Sequence, residues 1–129
     1  MSAPRVQRLT LEVSGARVVG LLHLPAGRER APAVVVAGPM TSVKEQVAGV
    51  YADALARRGV AALALDHRHF GESEGEPRQY EVHARKVEDL RAALARLSAH
   101  PEVDADRLGL AGVCLGAGYA AWAAVDEPR

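Results

Sequence analysis

The sequence predicts an α/β protein, an N-terminal antiparallel hairpin leading into a mostly parallel sheet with helices on both faces. Three observations predict it. Near the N-terminus, two stretches with alternating apolar residues flank a Ser14-Gly15 turn. Further on, AVVVAG (33–38), VAALAL (60–65) and RLGLAG (107–112) read as strands buried on both faces. Segments with helical apolar spacing separate and follow these runs, and that alternation defines a parallel sheet covered by helices.

The elements follow in order. Residues 6–13, VQRLTLEV, alternate as a half-exposed strand, and 17–24, RVVGLLHL, form its hairpin partner, ended by Pro25. After the polar loop AGRERAP comes the first buried strand, 33–38. From Glu45 to Arg58, Val47, Tyr51, Ala54 and Leu55 recur at helical spacing, and Gly59 is the expected stop. The strand 60–65 leads into DHRHFGESEGEPRQY (66–80), which has no apolar period and reads as a long loop. From Glu81 to about Ala99, Val87, Leu90, Leu94 and Leu97 line one helix face. Arg85, Glu88, Asp89, Arg91 and Arg96 cover the rest, mostly as a solvated surface. His100-Pro101 breaks that helix. PEVDADR connects to the third buried strand, 107–112, and Leu115 to about Val125 is a nearly all-apolar helix.

The chain has 129 residues, the size of one domain. Sixteen basic residues balance sixteen acidic ones, so no electrostatic footprint for nucleic acid or an anionic membrane is present. No run approaches the ~20 apolar residues of a transmembrane helix, and the start MSAPRVQRLTLEVSG has no signal-peptide core. The single cysteine cannot form an internal disulfide and suits a reducing cytoplasm.

That cysteine carries the chemistry. Gly112-Val113-Cys114-Leu115-Gly116 has the form G-x-nucleophile-x-G where a buried strand runs into a helix. Such a turn holds its central side chain proud of the sheet. A β-carbon two positions before or after would collide with neighbouring backbone, hence the two glycines. The helix from Leu115 directs its N-terminal dipole at the sulfur, which favours thiolate. The competing reading is a buried, inert small hydrophobe, the commonest fate of a free cysteine.

The chain resembles the first half of an α/β-hydrolase, and more narrowly the dienelactone-hydrolase-like branch, in which the nucleophile is often cysteine. The likeness runs from about Val6 to Arg129. It rests on the elbow around Cys114 and on P-M-x-S-V-K-E-Q at Pro39–Gln46, followed by D-x-R-x-F-G-E-S at Asp66–Ser73. The resemblance implies that Cys114 attacks an acyl carbonyl. It further implies that the backbone N–H groups of Met40 and Leu115 form the oxyanion hole, without metal or organic cofactor. Asp66, Arg68, Glu72 and Ser73 match the family's turn after the second buried strand, with a structural role for aspartate and serine in loop hydrogen bonds.

The departures are as informative. In this fold the acid and then the histidine follow the nucleophile, but only fifteen residues follow Cys114 and none is histidine. The expectation is one domain, 1–129, forming the N-terminal portion of a hydrolase domain and inactive alone. Its third buried strand would be an open apolar edge, able to pair with a second copy or a complementing chain. His67 and His69 lie on the correct rim but read as exposed loop residues, with His69 standing where glycine would be usual. His23, His83 and His100 have no evident role and no metal-ligand spacing. Gly38-Pro39-Met40 offers no carboxylate beside the thiol, as true dienelactone hydrolases do. That points to a small-molecule ester, thioester or general lactone as substrate. Gly116-Ala117-Gly118-Tyr119-Ala120-Ala121 mimics a dinucleotide fingerprint, but the strand with its acidic residue ~20 positions on is absent. GPMTSVKE fails as a phosphate loop because Val43 and Glu45 replace the required glycine and hydroxyl. The remaining rival is a catalytically inactive half-hydrolase that acts as a binding or assembly partner through its open edge.

Overall fold

The computed structural model describes residues 3–27 and 30–125. Strands β1 (Arg5–Val13) and β2 (Ala16–Leu24) pair antiparallel from Arg5↔Leu24 to Val13↔Ala16. Ser14 and Gly15 join them with φ of 49° and 81°. Two successive positive φ values match the right-handed twist of a tight hairpin. The chain continues through β3 (Ala31–Ala37), α1 (Val47–Arg57), β4 (Ala61–Asp66), α2 (His83–Ser98), β5 (Val103–Gly112) and α3 (Leu115–Val125).

The sheet order is β1-β2-β4-β3-β5. Strand β2 runs antiparallel to β4, whereas β3 is parallel to both β4 and β5, with Val36 opposite Ala64 and Ala111. The carboxyl ends of β3, β4 and β5 therefore share one rim, the usual ligand side of such sheets. Strand β4 lies two places from β5, as expected. On one face, Val36, Ala62 and Ala64 of the sheet pack against Ala48 and Ala52 of α1. On the other, Leu22, Val35 and Leu63 meet Leu90, Leu94 and Leu97 of α2 and Tyr119 and Ala123 of α3. Among the described residues, no helix is long and apolar enough to cross a membrane.

Several sequence expectations need correction. Strand β5 begins at Val103, four residues earlier than the apolar run suggests. Val103 is buried and pairs with Ala31, and the ladder shifts before Ala33↔Leu108, so the polar DADR stretch is an irregular part of the strand. Helices α1 and α2 start at Val47 and His83, later than Glu45 and Glu81. Glu81 is thus outside its helix. The loop 66–80 is not a solvated excursion: Asp66 through Phe70 are all buried. His67 and His69, expected to be exposed, are 5% and 3% accessible. Asp89, expected on the solvated face of α2, is fully buried because it serves that loop. His100 also has a role, donating from Nε2 to Gln7 (2.9 Å) and accepting the Glu102 N–H at Nδ1 (3.1 Å).

Candidate active site

The site assembles on the rim from the loops after β3, β4 and β5. After Gly112 the Val113 N–H still bonds the Ala37 carbonyl at 3.0 Å, extending the β3–β5 ladder by one step. Cys114 then adopts φ 59° and α3 begins at once. A β-carbon at Gly112 would be driven into the Ala117 Cα, and one at Gly116 into the carbonyl oxygens of Ala37 and Gly38. Glycine at both positions is therefore required by contact with backbone, which cannot give way. Cys114 is exposed. It is not core filler.

The loop after β3 is wound on itself. Ser42 donates to the Pro39 carbonyl through both its N–H (3.2 Å) and its Oγ (2.8 Å), and Thr41 Oγ1 donates to the Met40 carbonyl at 2.7 Å. Thr41 has φ 59°. The Met40 side chain is 56% exposed, so what this residue can contribute is its amide. Among the described residues, neither the Met40 nor the Leu115 N–H donates to a protein acceptor.

The β4 loop is braced by two buried charge clusters. Asp66, fully buried, accepts the Lys44 N–H (2.8 Å), the Lys44 ammonium (2.6 Å) and the Glu72 N–H (2.9 Å). The Lys44 Nζ, itself 1% exposed, also meets Glu72 (2.6 Å) and Glu45 (3.0 Å). Burial alone would lower this ammonium, but the bonds to Asp66, Glu72 and Glu45 outweigh it and leave it above its ordinary value. Ser73 Oγ donates to the Asp66 carbonyl and accepts the Val19 N–H at 2.8 Å. These contacts bear out the structural reading of Asp66 and Ser73.

In the second cluster Asp89 accepts from Arg68 Nε (2.6 Å) and the Arg68 N–H (3.0 Å), and lies 3.2 Å from His67 Nδ1. Arg85 donates to His69 Nε2 at 2.8 Å, so the His69 Nδ1–H donates to the Pro77 carbonyl at 3.0 Å. His69 has φ 80°, which accounts for glycine being the easier residue there. Both ring nitrogens of His69 and one of His67 are thus committed, to Pro77 of the loop and to Arg85 and Asp89 of α2, beyond the end of a strand two places from β5.

One group that sequence reading passed over links the two segments that carry the candidate oxyanion donors. Glu81 accepts the Thr41 N–H (3.1 Å) and the Tyr119 hydroxyl (2.8 Å), and pairs with Lys86 Nζ at 2.9 Å. Burial pushes its carboxyl up, but Lys86, Tyr119 and the Thr41 N–H outweigh it, and the carboxyl sits below its ordinary value. Burial and the Glu81 carboxylate push the Tyr119 phenol up to about 12. Lys86 is buried over the Phe70 ring at 4.5 Å. Nothing in the spacing of residues 41, 81, 86 and 119 announces this grouping.

An antiparallel hairpin, a parallel sheet and a cysteine held at positive φ between two sterically required glycines together define an α/β-hydrolase fold. The chain belongs to the FrsA-like esterase family, whose model matches residues 2–129. It is 41% identical over 117 residues to the uncharacterized protein PA2218 of Pseudomonas aeruginosa, covering 89% of this chain and 32% of that protein. The crystal structure of PA2218 superimposes with a TM-score of 0.94, covering all of this chain and 41% of the other. The thiohydrolase aneE of Aspergillus aculeatus is 35% identical, over 92% of this chain and 37% of its own length. A dienelactone hydrolase from Anabaena variabilis, 22% identical, shares the fold at a TM-score of 0.80 over 98% of this chain and 60% of its own. The chain therefore spans about a third of the length of the curated relatives it matches.

Proposed function

We propose that these residues are the nucleophile-bearing part of a hydrolase that cleaves small-molecule esters, thioesters or lactones by acyl transfer to Cys114. The observation that carries the reading is the exposed Cys114 at φ 59° in a G-x-C-x-G turn at the head of α3. In the first step the Cys114 thiolate attacks the acyl carbonyl carbon, and the carbonyl π electrons move to oxygen. The N–H groups of Met40 and Leu115 stabilise that oxyanion, and each such donor is typically worth about 3–4 kcal/mol. Collapse expels the alcohol or thiol, leaving a thioester on Cys114 that water hydrolyses. The base that takes the thiol proton and activates the water, with its orienting acid, comes from outside these 129 residues. The chain alone is an acyl acceptor rather than a turnover catalyst. A relative named a thiohydrolase supports placing thioesters among the substrates.

The expected result for Cys114→Ala is complete loss of iodoacetamide labelling and, in the complete enzyme, of ester turnover. Turnover that survives the substitution would overturn the assignment.

One observation favours a second reading. Strand β5 is a bare sheet edge, and an apolar groove of about 310 Å³ runs beside it, lined by Leu94, Leu108, Leu110, Ala117 and Ala121. A protein that acted only by pairing this edge with a second copy or a complementing chain would associate with no transfer of acyl groups to Cys114, which separates the two readings.

A further inference from the structure

Glu81 is positioned to do something that neither the elbow nor the β3 loop does for itself. An oxyanion hole built from two amides works only if their separation is fixed, because its donors must point at the oxygen before charge develops. Here the amides belong to different elements. Leu115 opens α3, whereas Met40 lies in the loop after β3, where the bonds nearest it join residues 39 to 42, and beyond them Lys44 anchors the loop to Asp66 at the end of β4 rather than to α3. Among the described residues, the hydrogen bonds that tie this loop to α3 run through one carboxylate. Its Oε1 takes the N–H of Thr41, next to Met40, and its Oε2 takes the hydroxyl of Tyr119, one turn into α3. Lys86 of α2, buried and bonded to the same Oε2, fixes the carboxylate from behind. Because Glu81 precedes α2, no helical backbone bond dictates where this side chain goes.

Resting on the acyl-transfer reading above, we infer that Glu81 is a positioning residue that sets the spacing between the Met40 and Leu115 amides by clamping Thr41 to Tyr119. It touches neither substrate nor sulfur, so its removal should slow reactions that pass through an oxyanion and leave others unaffected. Alkylation of Cys114 by iodoacetamide forms no oxyanion; acylation by p-nitrophenyl acetate does.

The test measures both reactions on the complete enzyme that carries these residues. Glu81→Ala is expected to slow the Cys114-dependent nitrophenolate burst by about 10- to 100-fold, the scale of a misplaced donor. Its alkylation rate should match the unaltered enzyme. Glu81→Gln keeps an oxygen for the Thr41 N–H and an NH2 that can donate to the Tyr119 oxygen, but it loses the Lys86 pairing, so it should restore only part of the burst rate. Should the alanine variant fail to fold, Tyr119→Phe keeps the ring, frees Glu81 from α3 and should slow the burst by roughly threefold to tenfold with alkylation unchanged. A full-rate burst in Glu81→Ala or an equal fall in both reactions would overturn this inference alone. Absence of any Cys114-dependent burst or turnover in the unaltered complete enzyme would overturn the acyl-transfer reading and this inference with it.

Discussion

At Cys114 the backbone occupies the left-handed region, where a β-carbon crowds the following carbonyl and costs roughly 1–2 kcal/mol. The cost is sustained because the residues around it leave no other path: the ladder to Ala37 ends at Val113, and α3 must start at Leu115 to seat Gly116 under Ala37 and Gly38. Glycine at position 114 would relieve this strain. Cys114→Gly is therefore expected to raise stability by about 1 kcal/mol while abolishing alkylation, with urea midpoints as the measurement. Alanine carries the same β-carbon and should give no such gain. If the glycine variant proved less stable than the alanine one, the turn would be held by contacts of the side chain rather than in spite of it.

At the scale of elements, what was legible in the sequence is what periodicity encodes. The buried strands β3 and β4 and the helical spacing of Val87, Leu90, Leu94 and Leu97 needed only apolar spacing, and the elbow needed only its glycines. Strand β5 is legible as a strand, but its residues 108–112 lie half-exposed on the sheet edge rather than buried on both faces. What was not legible depends on pairs far apart in sequence. Asp89 looks like one more charge on α2, and its burial follows from Arg68 and His67 arriving from the β4 loop 21 and 22 residues earlier. Glu81 reads as the first residue of that helix, and its reach to Thr41 and Tyr119 spans 40 and 38 residues. The start of β5 was hidden because polar residues occupy a bulged stretch of strand. The Asp89 hub has a measurable consequence. Asp89→Asn would leave the buried Arg68 guanidinium with only the half-exposed Glu88 as a charged partner, at 2.6 Å. Breaking one side of a buried pair costs about 3–5 kcal/mol, and chemical denaturation should show a loss near the lower figure. A loss below about 1 kcal/mol would mean that Glu88 compensates for the missing charge, as exposed pairs rarely do.

For the whole molecule, the distribution of buried titratable groups predicts how stability responds to pH. His23 lies on β2 with neither ring nitrogen hydrogen-bonded, among the described residues, and is buried. Burial lowers its pKa, and Asp53 on α1 opposes this only in part. His100 is lowered too, first by burial and then by Arg96 and Arg5 against an opposing Glu102. A histidine lowered by folding binds its proton more readily in the unfolded chain. Its stability contribution is thus complete above the ordinary histidine pKa of about 6.5 and is lost as pH falls below it toward the folded value. The carboxylates of Glu81 and Glu102, also lowered, act with the same sign but only below about 4.5, so acid should weaken the fold in two stages. His23→Leu isolates the first stage. It removes the titration together with two unpaired polar atoms, whose burial costs about 1–3 kcal/mol, so the variant should be at least as stable at pH 7.5 and lose less between pH 6.5 and 5.5. Urea midpoints at these three pH values decide the matter. Parallel declines in both proteins would place the first acid-sensitive stage at His100, where the Gln7 and Glu102 bonds join β1 to the start of β5, and not within the β2–α1 layer.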